Sequence, residues 1–132
     1  MMNKKLPMLI MVFITMIMSC GKEVDQSEII GNVAKQYYQY LLDGKYEEFV
    51  DGYYQPDSIP GVYREQLVAN AKMFVGQQKE AHKGMSRFDV VKVKADTARN
   101  VANVFLSIAY GDSTCEEIVV PMVRVKGNWM MK

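Results

Sequence analysis

The sequence predicts an α+β fold: three N-terminal helices packed on a curved antiparallel sheet of three to four strands. Three observations predict it. Apolar residues recur at helical spacing from Ser27 to His82. From Met85 onward the pattern changes to strands rich in Val, Ile and Phe, separated by turn residues. Helices first and strands afterwards describe an α+β domain with its helices on one face of the sheet. A chain of this length can bury one core and is too short for two, so residues 28–132 read as one domain.

Residues 1–19 read as a lipoprotein signal peptide. Lys4 and Lys5 open it, an apolar run from Leu6 to Met18 follows, and the small Ser19 precedes Cys20. A spanning helix needs about 20 apolar residues; this run is shorter, and Gly21-Lys22-Glu23 ends it. Ile17-Met18-Ser19-Cys20 resembles a lipobox, with Met18 standing where a smaller residue is usual. On that reading the Cys20 thiol is diacylated, cleavage follows Ser19, and the new amino terminus can take a third chain. Each buried methylene contributes about 0.8 kcal/mol, so two or three chains anchor stably where one does not. The expected location is the Gram-negative envelope, at the outer membrane, on its periplasmic face or at the cell surface. Residues 20–27 form a lipidated tether reaching about 25 Å when extended, so the folded body stays near the bilayer. Cleavage removes six of the eleven methionines together with Lys4 and Lys5, leaving 14 basic against 15 acidic side chains. That balance, without a polybasic patch, argues against nucleic acid or anionic lipid as a partner. With Cys20 acylated, Cys115 is the one remaining thiol and no intramolecular disulfide can form.

The first helix is expected over residues 27–42, with Ser27 as its cap. Ile30, Val33, Tyr37 and Leu41 form its apolar stripe, and Asp43-Gly44 stops it. A short second helix runs from Lys45 to about Gly52, packing Tyr46, Phe49 and Val50. Two prolines and a glycine break regular structure from Tyr53 to Gly61. A third helix over residues 62–82 places Tyr63, Leu67, Ala71 and Phe74 on one face, and Lys83-Gly84 closes it. Strands follow over 87–94, 99–110, 115–126 and 129–131. In the first of them Val91, Val93 and Ala95 share one face, opposite Lys92 and Lys94. Pro121 cannot donate to a ladder and marks an edge or a bulge.

The order of elements, with a short Gly-Lys-Tyr-Glu-Glu-Phe second helix (44–49), resembles the nuclear transport factor 2-like superfamily, and in particular its small bacterial lipoproteins of unassigned function. Tyr38 to Val50 carries part of the likeness. Asp96-Thr97-Ala98, Tyr110-Gly111-Asp112, Glu116 to Pro121 and Lys126-Gly127-Asn128-Trp129 carry the rest. The resemblance implies a cone-shaped, cystatin-like fold whose curved sheet wraps the first helix, often with an apolar pocket at the open end. Some relatives are isomerases, dehydratases or cyclases with an Asp or His in that pocket; many only bind a ligand or dimerise through the sheet. No catalytic role transfers to a residue of this chain.

The residues themselves suggest a pocket more than a chemistry. His82, the one histidine, lies at a helix C-terminus, where the dipole favours it and solvent reaches it. It has no acidic or cysteine partner at ligand spacing, so no metal site and no cofactor are expected. Glu47-Glu48 and Glu116-Glu117 are adjacent in sequence, so their side chains diverge and solvated charge is the simpler reading. Tyrosines cluster along the first two helices, offering apolar bulk with a polar tip. Tyr37, Phe74 and Trp129 are the candidate pocket lining, and Tyr53 and Tyr54 the candidate rim. The expected function is a non-enzymatic, lipid-anchored module that binds a small ligand or an envelope protein. The alternatives are a pocket enzyme of isomerase or hydrolase type and a structural subunit that forms a homodimer through its sheet. An enzyme needs a buried Asp, Glu or His inside an apolar cavity, and a structural subunit needs a filled interior with an apolar outer sheet face.

Overall fold

The computed structural model describes residues 26–57 and 59–132. The expected signal peptide (1–19), Cys20 and all but the last two tether residues lie outside the described residues. Helix α1 (Gln26–Leu42) buries Ile30, Ala34 and Leu41 on one stripe, with Val33, Tyr37 and Tyr38 packed beside them. Spacings of three and four mark a helix with one face on a core. The helix already includes Gln26, so Ser27 lies within its first turn.

Four strands form an antiparallel meander in chain order: β1 (Met85–Asp96), β2 (Val101–Tyr110), β3 (Cys115–Val125) and β4 (Asn128–Met131). Strand β2 alternates without a break, and Ala102, Val104, Leu106, Ile108 and Tyr110 are all buried on the inner face. Val120, Met122, Trp129 and Met131 continue that face across β3 and β4. Helix α1 lies over it, chiefly against β1. Gly31 permits the approach: a β-carbon there would sit 3.0 Å from one Val90 methyl and 3.2 Å from a Val93 methyl.

Strand β1 departs from simple alternation. Its pairing with β2 shifts register between Val90 and Lys92. The extra residue at this bulge is Val91, which is 52% exposed, while Val90 and Val93 both pack on the core. Val91 and Val93 therefore do not share the inner face. Pro121 sits in unbroken register with Asn103 of β2. Its carbonyl accepts the Lys132 N–H just past the end of β4, so no ladder needs the donor that Pro121 lacks.

A latch closes the sheet on α1. The Tyr37 hydroxyl donates to the Trp129 carbonyl at 2.8 Å. Beside it, Met131 N–H donates to the Gly52 carbonyl and Tyr54 N–H to the Met131 carbonyl, and Tyr53 bridges Met131 in parallel. The Tyr37 ring rests on Gly52, where a β-carbon would lie 2.5 Å from the ring.

Helix α2 (Tyr46–Asp51) and helix α3 (Gly61–His82) complete the fold. Arg64 forks onto Asp51, Nε to Oδ1 at 3.0 Å and Nη2 to Oδ2 at 2.9 Å, fastening the start of α3 to α2. The other end of α3 is fastened to the β2–β3 turn. There Asp112 N–H donates to the His82 carbonyl at 3.0 Å, and His82 Nδ1 lies 3.1 Å from Asp112 Oδ2. Asp112 also accepts the Thr114 hydroxyl and its N–H. Those Thr114 bonds, and then His82, hold the Asp112 carboxyl down at about 2. Between its two fastened ends α3 packs mainly on α2 and only narrowly on α1 and β1. Ala71 is its one buried residue.

These fastenings can be tested one at a time. Tyr37→Phe keeps the ring but loses the bond to Trp129, and should lower unfolding free energy by about 1 kcal/mol in urea titration. Gly52→Ala forces the ring off its seat as well and should cost more than Tyr37→Phe in the same assay. For Asp112 the native carboxyl titrates lower than the ordinary 3.8. Its stabilising contribution is therefore complete above about pH 4 and lost as pH falls towards 2. The melting-temperature gap between wild type and Asp112→Asn should be full at neutral pH and shrink across that acidic window.

Candidate functional site

A cavity of ≈ 640 Å³ lies beneath the middle of α3. Tyr63, Leu67, Asn70, Ala71, Phe74 and Gln78 of α3 line it, recurring at spacings of three and four along one face. Such a stripe normally disappears against a sheet. Here α1 already covers much of the inner face, so the stripe of α3 faces open space. The opposite wall is aromatic and aliphatic: Tyr38 of α1, Phe49 of α2, Tyr53, and Ile108 and Ile118 of the sheet. Phe88, Tyr38, Phe49 and Tyr53 form a chain of edge-to-face contacts, with centroids 5.4 to 5.6 Å apart. Burial, and then the neighbouring Tyr53 hydroxyl, push the Tyr38 phenol well above its ordinary range. Burial likewise raises Tyr53. Both wall hydroxyls therefore stay protonated and neutral at physiological pH.

Among the described residues that line the cavity, Glu116 is the one charged side chain. It stands on the inner face of β3, opposite Ile108, while Glu117 pairs with Ser107 on the outer face. Its Oε2 accepts the Tyr110 hydroxyl at 2.6 Å. Burial, then the bond and charge of Glu116, push the Tyr110 phenol up to about 12. Glu116 itself is exposed, and no charged side chain is buried among the described residues. The cavity thus has an apolar, aromatic body and one solvent-reached carboxylate.

The residues singled out from sequence divide. Phe74 and Tyr53 line this cavity. Tyr54 lines a second hollow of ≈ 440 Å³, with Tyr53 as a shared wall. Tyr37 and Trp129 are absent from both linings, because they bind each other in the latch and Trp129 is buried in the core. His82 stacks on Tyr110 with centroids 4.3 Å apart and serves the turn. Glu116 is a site residue that sequence reasoning misses. The signal for it lies in the hairpin: Tyr110 and Glu116 are diagonal neighbours across the β2–β3 turn, which adjacency to Glu117 conceals. Cys115 is exposed and free at the start of β3. Among the described residues no group of three His, Cys, Asp or Glu is placed to hold a metal ion.

No family model matches the sequence, and no curated protein matches it. Solved structures do. A protein described as an NTF2-like transpeptidase from Campylobacter jejuni superposes with a TM-score of 0.62 at 9% identity, covering 76% of this chain and 94% of that one. Aln2 from a Streptomyces species gives 0.48 at 12% identity, covering 83% of this chain and 89% of that one. Three helices, a four-stranded antiparallel meander and the first of these superpositions agree: the chain has the nuclear transport factor 2-like fold.

Proposed function

We propose that this protein is a lipid-anchored envelope module that binds a small, largely apolar ligand in the cavity under α3 without transforming it. The observation that carries the reading is the unfilled space itself. Its ≈ 640 Å³ falls within the roughly 300–1,000 Å³ of small-molecule sites, and its walls combine aromatic and aliphatic side chains with tyrosine hydroxyls and the amides of Gln55, Asn70 and Gln78. A pocket enzyme needs a buried acid or base, and the cavity's one carboxylate is exposed. A purely structural subunit would fill its interior and keep an apolar outer sheet face. Here the interior is open.

The membrane attachment rests on Lys4, Lys5, the apolar run and Cys20. No described helix is long and apolar enough to cross a membrane. Acyl chains on Cys20 would place the cavity near the bilayer, where apolar metabolites concentrate.

Two experiments test this. A neutral fluorescent probe such as N-phenylnaphthylamine should bind saturably to the purified protein. Leu67→Trp, which puts bulk into the cavity wall, should abolish that binding while leaving thermal stability intact. Unchanged binding in Leu67→Trp, or no saturable binding by wild type, contradicts the cavity reading. For the anchor, Cys20→Ser should move the protein from the membrane fraction to the soluble fraction and remove incorporation of a palmitate analogue. A Cys20→Ser protein that still takes up the analogue and stays with the membrane would contradict it.

A further inference from the structure

We infer that the cavity selects ligands carrying a cationic amine head on an apolar body, with the amine at Glu116. This rests on the ligand-binding reading above and adds the chemistry of the head group. Every other lining side chain among the described residues is neutral: aliphatic, aromatic, tyrosine hydroxyl or amide. A charged ligand therefore meets one fixed charge, and its sign is negative.

The carboxylate is also held in place. Its Oε2 takes the Tyr110 hydroxyl at 2.6 Å, and the Tyr110 ring is 5% exposed and stacked on His82. No hydrogen bond or ion pair of the described residues engages Oε1, leaving that oxygen open for a donor. His82 lies next to this end, but its Nδ1 is engaged by Asp112, so any positive charge it carries is already matched. The same end of the cavity adjoins the C-terminus of α3, the negative pole of a 22-residue helix. Lys79 and Lys83 flank that terminus yet are not among the lining residues.

The geometry also sets the orientation. Glu116 is exposed while Leu41, Val50, Ala71 and Ile108 of the lining are buried. An apolar body enters among the aromatic walls, and the hydrated ammonium stays at the solvent-reached carboxylate. A carboxylate head is repelled there, and a hydroxyl head keeps a hydrogen bond but lacks the charge. Because Glu116 is partly solvated, the discrimination is modest, about fivefold between amine and alcohol.

The test uses three ligands with one body: naphthylmethylamine, naphthylmethanol and naphthoate. Each competes with N-phenylnaphthylamine for the full-length protein at neutral pH and low salt. The expected order is amine, then alcohol, then carboxylate. Glu116→Gln should remove the amine's advantage and bring amine and alcohol to equal affinity, and added salt should erode the wild-type preference. Tyr110→Phe keeps the charge and should keep the order. Alcohol binding as tightly as amine, or a preference that survives Glu116→Gln, overturns the head-group inference while the cavity stands. Failure of all three, together with no saturable probe binding, overturns the cavity reading and this inference with it.

Discussion

Helix α1 occupies the inner face of the sheet, and the rest of the structure follows from that occupancy. Ile30 and Ala34 are fully buried in the core on the inner sheet face, and Gly31 removes the side chain that would hold the helix off Val90 and Val93. Burying an Ile or Leu side chain contributes about 1.5–3 kcal/mol each, so this docking outweighs any single polar contact nearby. The latch of Tyr37 on Trp129 then fixes α1 against β4, and Gly52 makes room for the ring. Once that face is covered, little apolar sheet remains for another helix.

Helix α3, third in chain order, meets only that remainder. It is secured at its ends, by Arg64 on Asp51 and by His82 on Asp112, with the Asp112 and His82 backbones bonded as well. Neither fastening depends on its middle. Leu67 and Phe74, which a closer approach would bury, face a void instead. The apolar surface left uncovered there is what a ligand can cover, at about 25 cal/mol for each Å² removed from water. On the proposed reading, stability and binding draw on different parts of one helix: polar fastenings at its ends and an apolar face at its centre.

Much of this is legible in the residues. The run from Arg99 to Tyr110, rich in Val, Phe, Ile and Tyr, reads as a strand, and the stripe Ile30, Val33, Tyr37, Leu41 reads as a helix on a core. The face Tyr63, Leu67, Ala71, Phe74 is equally visible, but periodicity cannot tell whether a stripe meets a partner or a space. That decision is made by α1 and the sheet, distant in sequence. Strand β1 misleads because a bulge after Val90 turns Val91 outward, and nothing local marks it. Tyr37 and Trp129 resemble pocket residues because both are large and amphipathic. Tyr37 spends its hydroxyl on the Trp129 carbonyl instead, across 92 positions of sequence, and the Trp129 side chain is buried in the core. Glu116 acquires its setting only when the hairpin brings Tyr110 beside it.

The central claim is that the space under α3 is a ligand site and not a packing gap. Native mass spectrometry of the protein purified from its own host tests it most directly. The account predicts wild-type protein carrying a non-covalent small molecule that is absent from Leu67→Trp purified in parallel. Wild type that repeatedly flies at the mass of the bare chain, indistinguishable from Leu67→Trp, would contradict it.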